Sequence, residues 1–88
     1  MKLIRKQVVA GEETAFTFDR HGYSFLIKNF TAGSIFVSDI HGATETARIE
    51  SKHGQEFSVN EFKNESIDTV YITAEIDGEV EVQCTAYL

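Results

Sequence analysis

Short runs in which apolar and polar residues alternate constrain the fold of this chain more than any other feature. Successive side chains of a strand point to opposite faces, so such a run gives a strand one apolar face. The run at 14–20, for example, sets Phe16 and Phe18 on one face and Thr17 and Asp19 on the other. Similar runs occupy residues 23–30, 34–40, 56–62, 68–75 and 80–88. No window of helical length spaces its apolar residues three to four apart, so the sequence predicts an all-β fold.

Turn residues separate these runs at regular intervals. Glycine marks most of the breaks, as in Ala10-Gly11, His21-Gly22 and Asp77-Gly78. Short strands at regular spacing are typical of a sandwich or a barrel. The length of 88 residues fits one domain. We therefore predict a single domain over residues 1–88, an antiparallel β-sandwich of about seven or eight strands with jelly-roll-like connections.

The last two runs suggest a hairpin. A three-residue loop ending at Gly78 would pair Ile72 with Val82 and Val70 with Cys84, which keeps apolar residues opposite one another. In this register the acidic side chains of the hairpin face solvent, among them Glu75, Glu79 and Glu81.

The inward positions of all runs together give a predicted hydrophobic core. Its members are Phe16, Phe18, Phe25, Ile27, Ile35, Val37, Ile49, Phe57, Val59, Val70, Ile72, Val82 and Cys84.

Two strands carry apolar residues on both faces. Leu26 and Phe30 point away from Phe25 and Ile27, and the same holds for a second pair in the next strand. Loops of so short a chain cover only part of such a second face, so we predict that it meets another subunit or a larger assembly. The candidate interface residues are Leu26, Phe30, Phe36 and Ile40.

The charge of the chain is negative and uneven. The net charge is −6, and residues 45–88, with three basic and ten acidic residues, carry −7. Acidic surfaces repel phosphates, so we expect no nucleic-acid partner and no anionic membrane partner. The start of the chain lacks an apolar run of signal-peptide length, and no segment is long enough to span a bilayer. A cytoplasmic protein is the expectation.

Each of the three histidines precedes a glycine: His21, His41 and His53. Three imidazoles could hold a zinc ion if the turns met at one end of the fold. Their spacings match no local metal motif, so we interpret the pairs as a turn used three times.

No other pattern points to catalysis or to a cofactor. There is no His-x-His pair of the kind that cupin metal sites use and no G-x-S-x-G elbow. Cys84 alternates with Val82 and Ala86, which favours a small core residue over a nucleophile. We predict that the chain is not an enzyme and uses no cofactor.

The order of the segments resembles a class of known proteins. The stretches FTFDRHGYSFLIKNFTAGSIFVSD, ARIESKHGQEFSVNEF and IDTVYITAEIDGEVEVQCTAYL are similar to those of the small all-β virion proteins of tailed phages and prophages. The resemblance covers about residues 16–82 and implies a structural role in capsid decoration, a head fibre or a tail accessory. It also implies a virion location, with copies of itself or other structural proteins as partners.

A small ligand- or carbohydrate-binding β module, a cupin-like scaffold without the catalytic metal motif, is the alternative. The chain has no tryptophan, so only tyrosines remain among phenolic or indole rings to stack on a sugar: Tyr23, Tyr71 and Tyr87.

Overall fold

The computed structural model describes residues 2–42, 49–52, 56–59 and 66–87. These residues form seven strands and no helix, which confirms the predicted all-β class. The strands are β1 (Lys2–Val8), β2 (Thr14–Asn29), β3 (Ile35–Ser38), β4 (Ile49–Ser51), β5 (Glu56–Val59), β6 (Ile67–Ala74) and β7 (Gly78–Tyr87). Within the described residues, nothing forms a helix with the length and apolar character needed to cross a membrane.

All seven strands hydrogen-bond into one sheet. The order is β1-β7-β2-β6-β3-β4, β5 pairs with β2, and every pairing is antiparallel. The predicted sandwich of separate sheets is therefore wrong in this respect. The reason is β2, a strand of 16 residues where the sequence suggested two strands and a turn. Gly22 in its middle pairs with Ile67 on one side and Tyr87 on the other, so β2 links β6 and β7 within one sheet.

β2 doubles back on itself at this glycine. Its start, Thr14, pairs with Ile72 near the end of β6, and its end, Asn29, pairs with Val80 near the start of β7. Only the turn at 75–77 separates β6 from β7, so both ends of β2 lie at the same end of the molecule. The register shifts on both sides of Gly22, where the strand bends.

The folded sheet has two layers around one core. The first layer contains β1, β7, the second half of β2 (22–29) and β5; the second contains the first half of β2 (14–19), β6, β3 and β4. The rings of Phe18 and Phe25, from the two halves of β2, lie 5.8 Å apart. Side chains without any exposed surface come from both layers, for example Phe16 and Val82.

The predicted core is confirmed wherever the structure describes it. Ten of its members are buried: Phe16, Phe18, Phe25, Ile27, Ile35, Val37, Val70, Ile72, Val82 and Cys84. The side chains of Ile49, Phe57 and Val59 lie outside the described residues. The core cluster also includes Val8, Ile67, Ala74 and Val80.

The predicted hairpin of the last two strands is wrong. β6 pairs with β2 and β3, whereas β7 pairs with β1 and β2, so the turn at 75–77 connects the two layers. Gly78 does not have the positive φ expected for the end of a hairpin loop. It is needed for space, because an added Cβ would lie 2.9 Å from both Cα and Cγ2 of Thr31.

Candidate interaction surface

The four residues predicted as an interface lie on two different surfaces. Leu26 and Phe30 point outward from the first layer, and Leu26 pairs with β7. Phe36 points outward from the second layer, where it pairs with β6, and Ile40 follows the same strand. Phe30 is 48% exposed, whereas the other three are partly buried. The structure thus brings together Leu26 and Phe30 and places Phe36 and Ile40 elsewhere.

Leu26 and Phe30 belong to a grid of nine outward residues that we call the Glu81 face. Pairing among β1, β7 and β2 aligns its side chains in three rows. The amide of Phe30 donates to the carbonyl of Glu79 at 3.0 Å, which sets the third row. The rows are Leu3, Gln83 and Leu26; Arg5, Glu81 and Lys28; and Gln7, Glu79 and Phe30.

The central carboxylate of this face is buried, although it points outward. The side chain of Glu81 is only 5% exposed. Its Oε1 accepts hydrogen bonds from Nε and Nη2 of Arg5 at 3.2 and 2.9 Å. Its Oε2 accepts from Nε2 of Gln83 at 2.7 Å and lies 3.9 Å from Nζ of Lys28. A buried charge is stable only when it is paired and hydrogen-bonded in this way.

These contacts lower the pKa of Glu81 below its ordinary value. The largest cause is the hydrogen bond from Gln83, and the hydrogen bonds and charge of Arg5 and the charge of Lys28 act in the same direction. Burial alone would raise the pKa of this carboxyl, so the donors outweigh the loss of water. Glu81 is therefore a fixed negative charge at neutral pH.

Arg5 connects the buried carboxylate to the exposed aromatic ring. Its Nη1 lies 3.3 Å from Oε1 of Glu79, so the guanidinium contacts both acidic side chains of β7. The guanidinium carbon also lies 4.9 Å from the centre of the Phe30 ring, within the range of a cation–π interaction. Phe30 is thus half exposed and yet held in place.

The Glu81 face carries no net charge on a chain whose net charge is −6. Arg5 and Lys28 balance Glu79 and Glu81, and the remaining five residues of the grid are uncharged. Two chains of this net charge repel each other. This face is a place where they can meet without that repulsion.

A histidine occupies the outer face of the second layer. The ring centre of His41 lies 5.2 Å from that of Tyr71, and its Nε2 is 3.4 Å from Oε1 of Glu13. The amide of Gly42 donates to both oxygens of the same carboxylate at 3.1 Å. Gly42 has a positive φ and lies in a turn, in agreement with the turn interpretation of this pair.

The two described histidines do not share a site. His21 lies next to Gly22, which pairs with Ile67, whereas His41 contacts Tyr71, four residues farther along β6. Four residues of strand span about 13 Å. His53 lies outside the described residues. Among the residues that the structure does describe, no group of three or more His, Cys, Asp or Glu could hold a metal ion.

Gly22 corrects one part of the turn interpretation. The His21-Gly22 pair lies inside β2, and Gly22 has no positive φ. An added Cβ would collide with Sγ of Cys84 and lie 2.9 Å from the carbonyl oxygen of Ala86. This glycine allows the sharp bend of β2 to pack against β7. Cys84 itself is fully buried, as predicted.

A small cleft opens between the edges of the two layers. It has a volume of about 210 Å³ and is lined by Lys2, Leu3, Ile4, Thr17, Phe18 and Asp19. Nζ of Lys2 lies 3.3 Å from Oδ2 of Asp19 across the cleft, and Nζ of Lys6 donates to the carbonyl of Ala15 at 2.7 Å. The lysines of β1 therefore bridge to the first half of β2, where the two strands form no ladder.

The buried Glu81 is the feature that sequence reasoning missed. Alternation correctly placed it on the outer side of β7, and it was therefore expected to be solvated. Its burial depends on Arg5 and Lys28, which are 76 and 53 positions away in the chain and become its neighbours only through strand pairing. The basic residues of the two flanking strands could have indicated that Glu81 is paired and buried, but they can be recognised as its neighbours only once the strand order is known.

Comparisons with protein-family models, with curated proteins and with solved structures found no match for the chain.

Proposed function

We propose that this chain is a non-enzymatic structural or interaction module that associates with copies of itself, or docks on a larger assembly, through the Glu81 face. One observation carries the proposal: the half-exposed ring of Phe30 is held by Arg5, which is itself fixed on the buried Glu81. Phe30 does not belong to the hydrophobic core, so the ordering of its exposed ring is better explained by a contact with another molecule than by folding.

The energetics of association support this choice of surface. Ordering flexible side chains at an interface costs free energy and weakens binding. In this chain, Arg5 and Phe30 are already held in place in the folded monomer, so that cost is reduced. Arginine and aromatic residues supply much of the binding energy of protein interfaces. Leu3, with 53% of its surface exposed, and the partly buried Leu26 add apolar area on the other side of the charged row.

We further propose that the folded sheet is a jelly-roll-like sandwich in which β2 belongs to both layers. Successive segments of the chain lie in alternate layers. The first layer takes β1, the second half of β2, β5 and β7, and the second layer takes the segments between them: the first half of β2, then β3 and β4, then β6. Jelly rolls build viral capsid domains, lectins and cupins. Together with the order of the sequence segments, this connectivity supports a virion accessory protein of a tailed phage or prophage. Such a protein is made in the cytoplasm and assembled there.

A ligand-binding module is the second candidate, and the cleft between β1 and the first half of β2 is the observation in its favour. Its volume of about 210 Å³ is below the roughly 300–1,000 Å³ of ordinary ligand pockets. Tyr23 and Tyr71, two of the three tyrosines considered for sugar stacking, lie on different layers. A sugar screen by NMR that shifted the amides of Lys2, Leu3 and Thr17 would favour this candidate.

Sedimentation velocity over a range of concentrations tests the association. We expect the wild type to form dimers or larger species at micromolar concentration and Phe30→Ala to weaken this by about tenfold, the effect of burying half of a phenylalanine side chain. Tyr23→Ala is the matched control, because Tyr23 is 46% exposed and lies near the bend of β2. A wild type that stays monomeric at all concentrations, with Phe30→Ala indistinguishable from it, would overturn self-association.

A further inference from the structure

Three turns meet at one end of the molecule and are bonded to one another. The amide of Ala10 donates to Oδ1 of Asp77 at 2.7 Å, which joins the first turn to the last. Ser34 and Glu75 join the second to the last, because the amide of Glu75 donates to the carbonyl of Ser34 and the amide of Ser34 donates to Oε1 of Glu75, each at 3.0 Å. We call this region the turn end; it comprises residues 9–13, 31–34 and 75–77.

The middle turn is braced by a buried polar cluster. The amide and the hydroxyl of Thr31 lie 2.9 and 2.7 Å from Oδ1 of Asn29, to which both donate. Nδ2 of Asn29 donates to the carbonyl of Gly33 at 2.9 Å. Asn29 and Thr31 are each 1% exposed, so water competes little for these bonds. The turn end is therefore held in one conformation.

Apolar side chains project from this braced region. Val9 is 50% exposed and Ile76 is 47% exposed, and each directly adjoins one partner of the Ala10–Asp77 hydrogen bond. Turns normally use glycine, proline, asparagine, aspartate and serine, so valine and isoleucine are unusual there. Half of each side chain remains in water although the surrounding backbone is fixed. Such a surface is suited to docking.

The charges around these side chains define the partner. Glu12, Glu75 and Asp77 are exposed at the turn end. The turn end itself contains no lysine or arginine; among the described residues, Lys52 follows the β4 partner of Ile35, and Lys6 lies three residues before Val9. The resulting field is negative, so it attracts a cationic surface and repels nucleic acid and anionic lipid.

We propose that the turn end is a docking site for a basic, partly apolar segment of another protein, in which Lys or Arg side chains flank aliphatic ones. Val9 and Ile76 contact the aliphatic side chains, and the carboxylates of Glu12, Glu75 and Asp77 pair with the cations. This site is separate from the homotypic contact of the Glu81 face. With both, the module joins copies of itself through one surface and holds a different partner at its end.

A synthetic peptide that alternates lysine and valine is the probe, followed by amide chemical shifts of the labelled full chain. We expect shifts concentrated in residues 9–12, 32–34 and 75–77, and an affinity that falls as salt is added. The double variant Val9→Ser, Ile76→Ser should weaken binding about tenfold, since two half-exposed aliphatic side chains lose their contacts. Tyr23→Ser, which removes a similarly exposed residue outside both surfaces, should leave the affinity unchanged.

A peptide that alternates lysine and serine has the same charge but no aliphatic side chains of valine. Comparing it with the lysine–valine peptide separates the contribution of the charges from that of the apolar contacts. Equal binding of both peptides, or equal binding of the double variant and wild type, would overturn the apolar site. Shifts spread evenly over the acidic surface would overturn it as well. Val9 and Ile76 lie outside the Glu81 face, so the double variant should self-associate as the wild type does. Sedimentation velocity of the double variant therefore shows whether a loss of peptide binding is independent of self-association.

Discussion

Replacing Glu81 by glutamine removes the central charge of the Glu81 face and almost nothing else. The carboxylate accepts three hydrogen bonds, two from Arg5 and one from Gln83, at 2.7 to 3.2 Å. Glutamine keeps the shape but loses the charge, and the amide nitrogen that replaces one carboxylate oxygen cannot accept a hydrogen bond from Gln83. Charge-assisted bonds are worth about 1 kcal/mol more than neutral ones, and the half-exposed Arg5 reduces this by screening. We expect Glu81→Gln to lower the free energy of unfolding by about 1–2 kcal/mol, or Tm by roughly 5–15 °C.

Urea unfolding at pH 7 and at lower pH checks both the magnitude and its cause. Because the folded-state pKa of Glu81 is lowered, its stabilising effect is complete above the unfolded-state pKa of about 4.3 and is lost as pH falls through the lower folded-state pKa. The difference between wild type and Glu81→Gln should therefore shrink in acid. Glu79→Gln is the control, since its side chain is 36% exposed and its pairing with Arg5 is worth less than about 1 kcal/mol. Equal losses in the two variants, or a Glu81→Gln difference that persists unchanged in acid, would refute the reasoning.

Two further substitutions test how the turn end is built. Thr31→Val removes a hydroxyl from the buried cluster around Asn29 and should cost about 1–3 kcal/mol in urea unfolding, whereas Thr17→Val, at an exposed hydroxyl, should cost less than about 0.5 kcal/mol. Gly78→Ala drives a methyl group against the backbone of Thr31 and should lower Tm by more than about 5 °C. Gly33→Ala should be milder, because its new Cβ would meet a flexible side chain at 3.1 Å; an equal loss in both glycine variants would contradict the close-packing argument.

The alternation of apolar residues predicted the inward positions well. Phe16 and Phe18, and then Ile35 and Val37, are buried where the period of two placed them. Tyr23 is the exception: the alternation of residues 23–30 places it on the same face as Phe25, but it is 46% exposed. The register shifts between Gly22 and Phe25 interrupt the alternation at this point. Periodicity does not reveal a bulge, since the irregularity lies in the pairing with β7.

The turns at 10–11 and 41–42 were located correctly, whereas the His21-Gly22 pair lies inside β2 and the turn before Gly78 makes a different connection. Asp77-Gly78 was interpreted as a hairpin, and the structure uses the turn at 75–77 to cross between layers. Both connections need the same local features, a polar residue and a glycine. The choice between them depends on which strands flank β6 and β7, and that information is spread over the whole chain.

The period of two and the placement of glycines determine that this chain is all-β and which side chains form its core, because both follow from the geometry of a single strand. Tertiary structure alone decided that β2 bends at Gly22 and serves both layers, that Glu81 is buried between Arg5 and Lys28, and that Val9 and Ile76 project from a braced end. Each of these depends on segments far apart in sequence. Burial of a charge and exposure of an apolar residue are properties of such neighbours, which a local pattern does not specify.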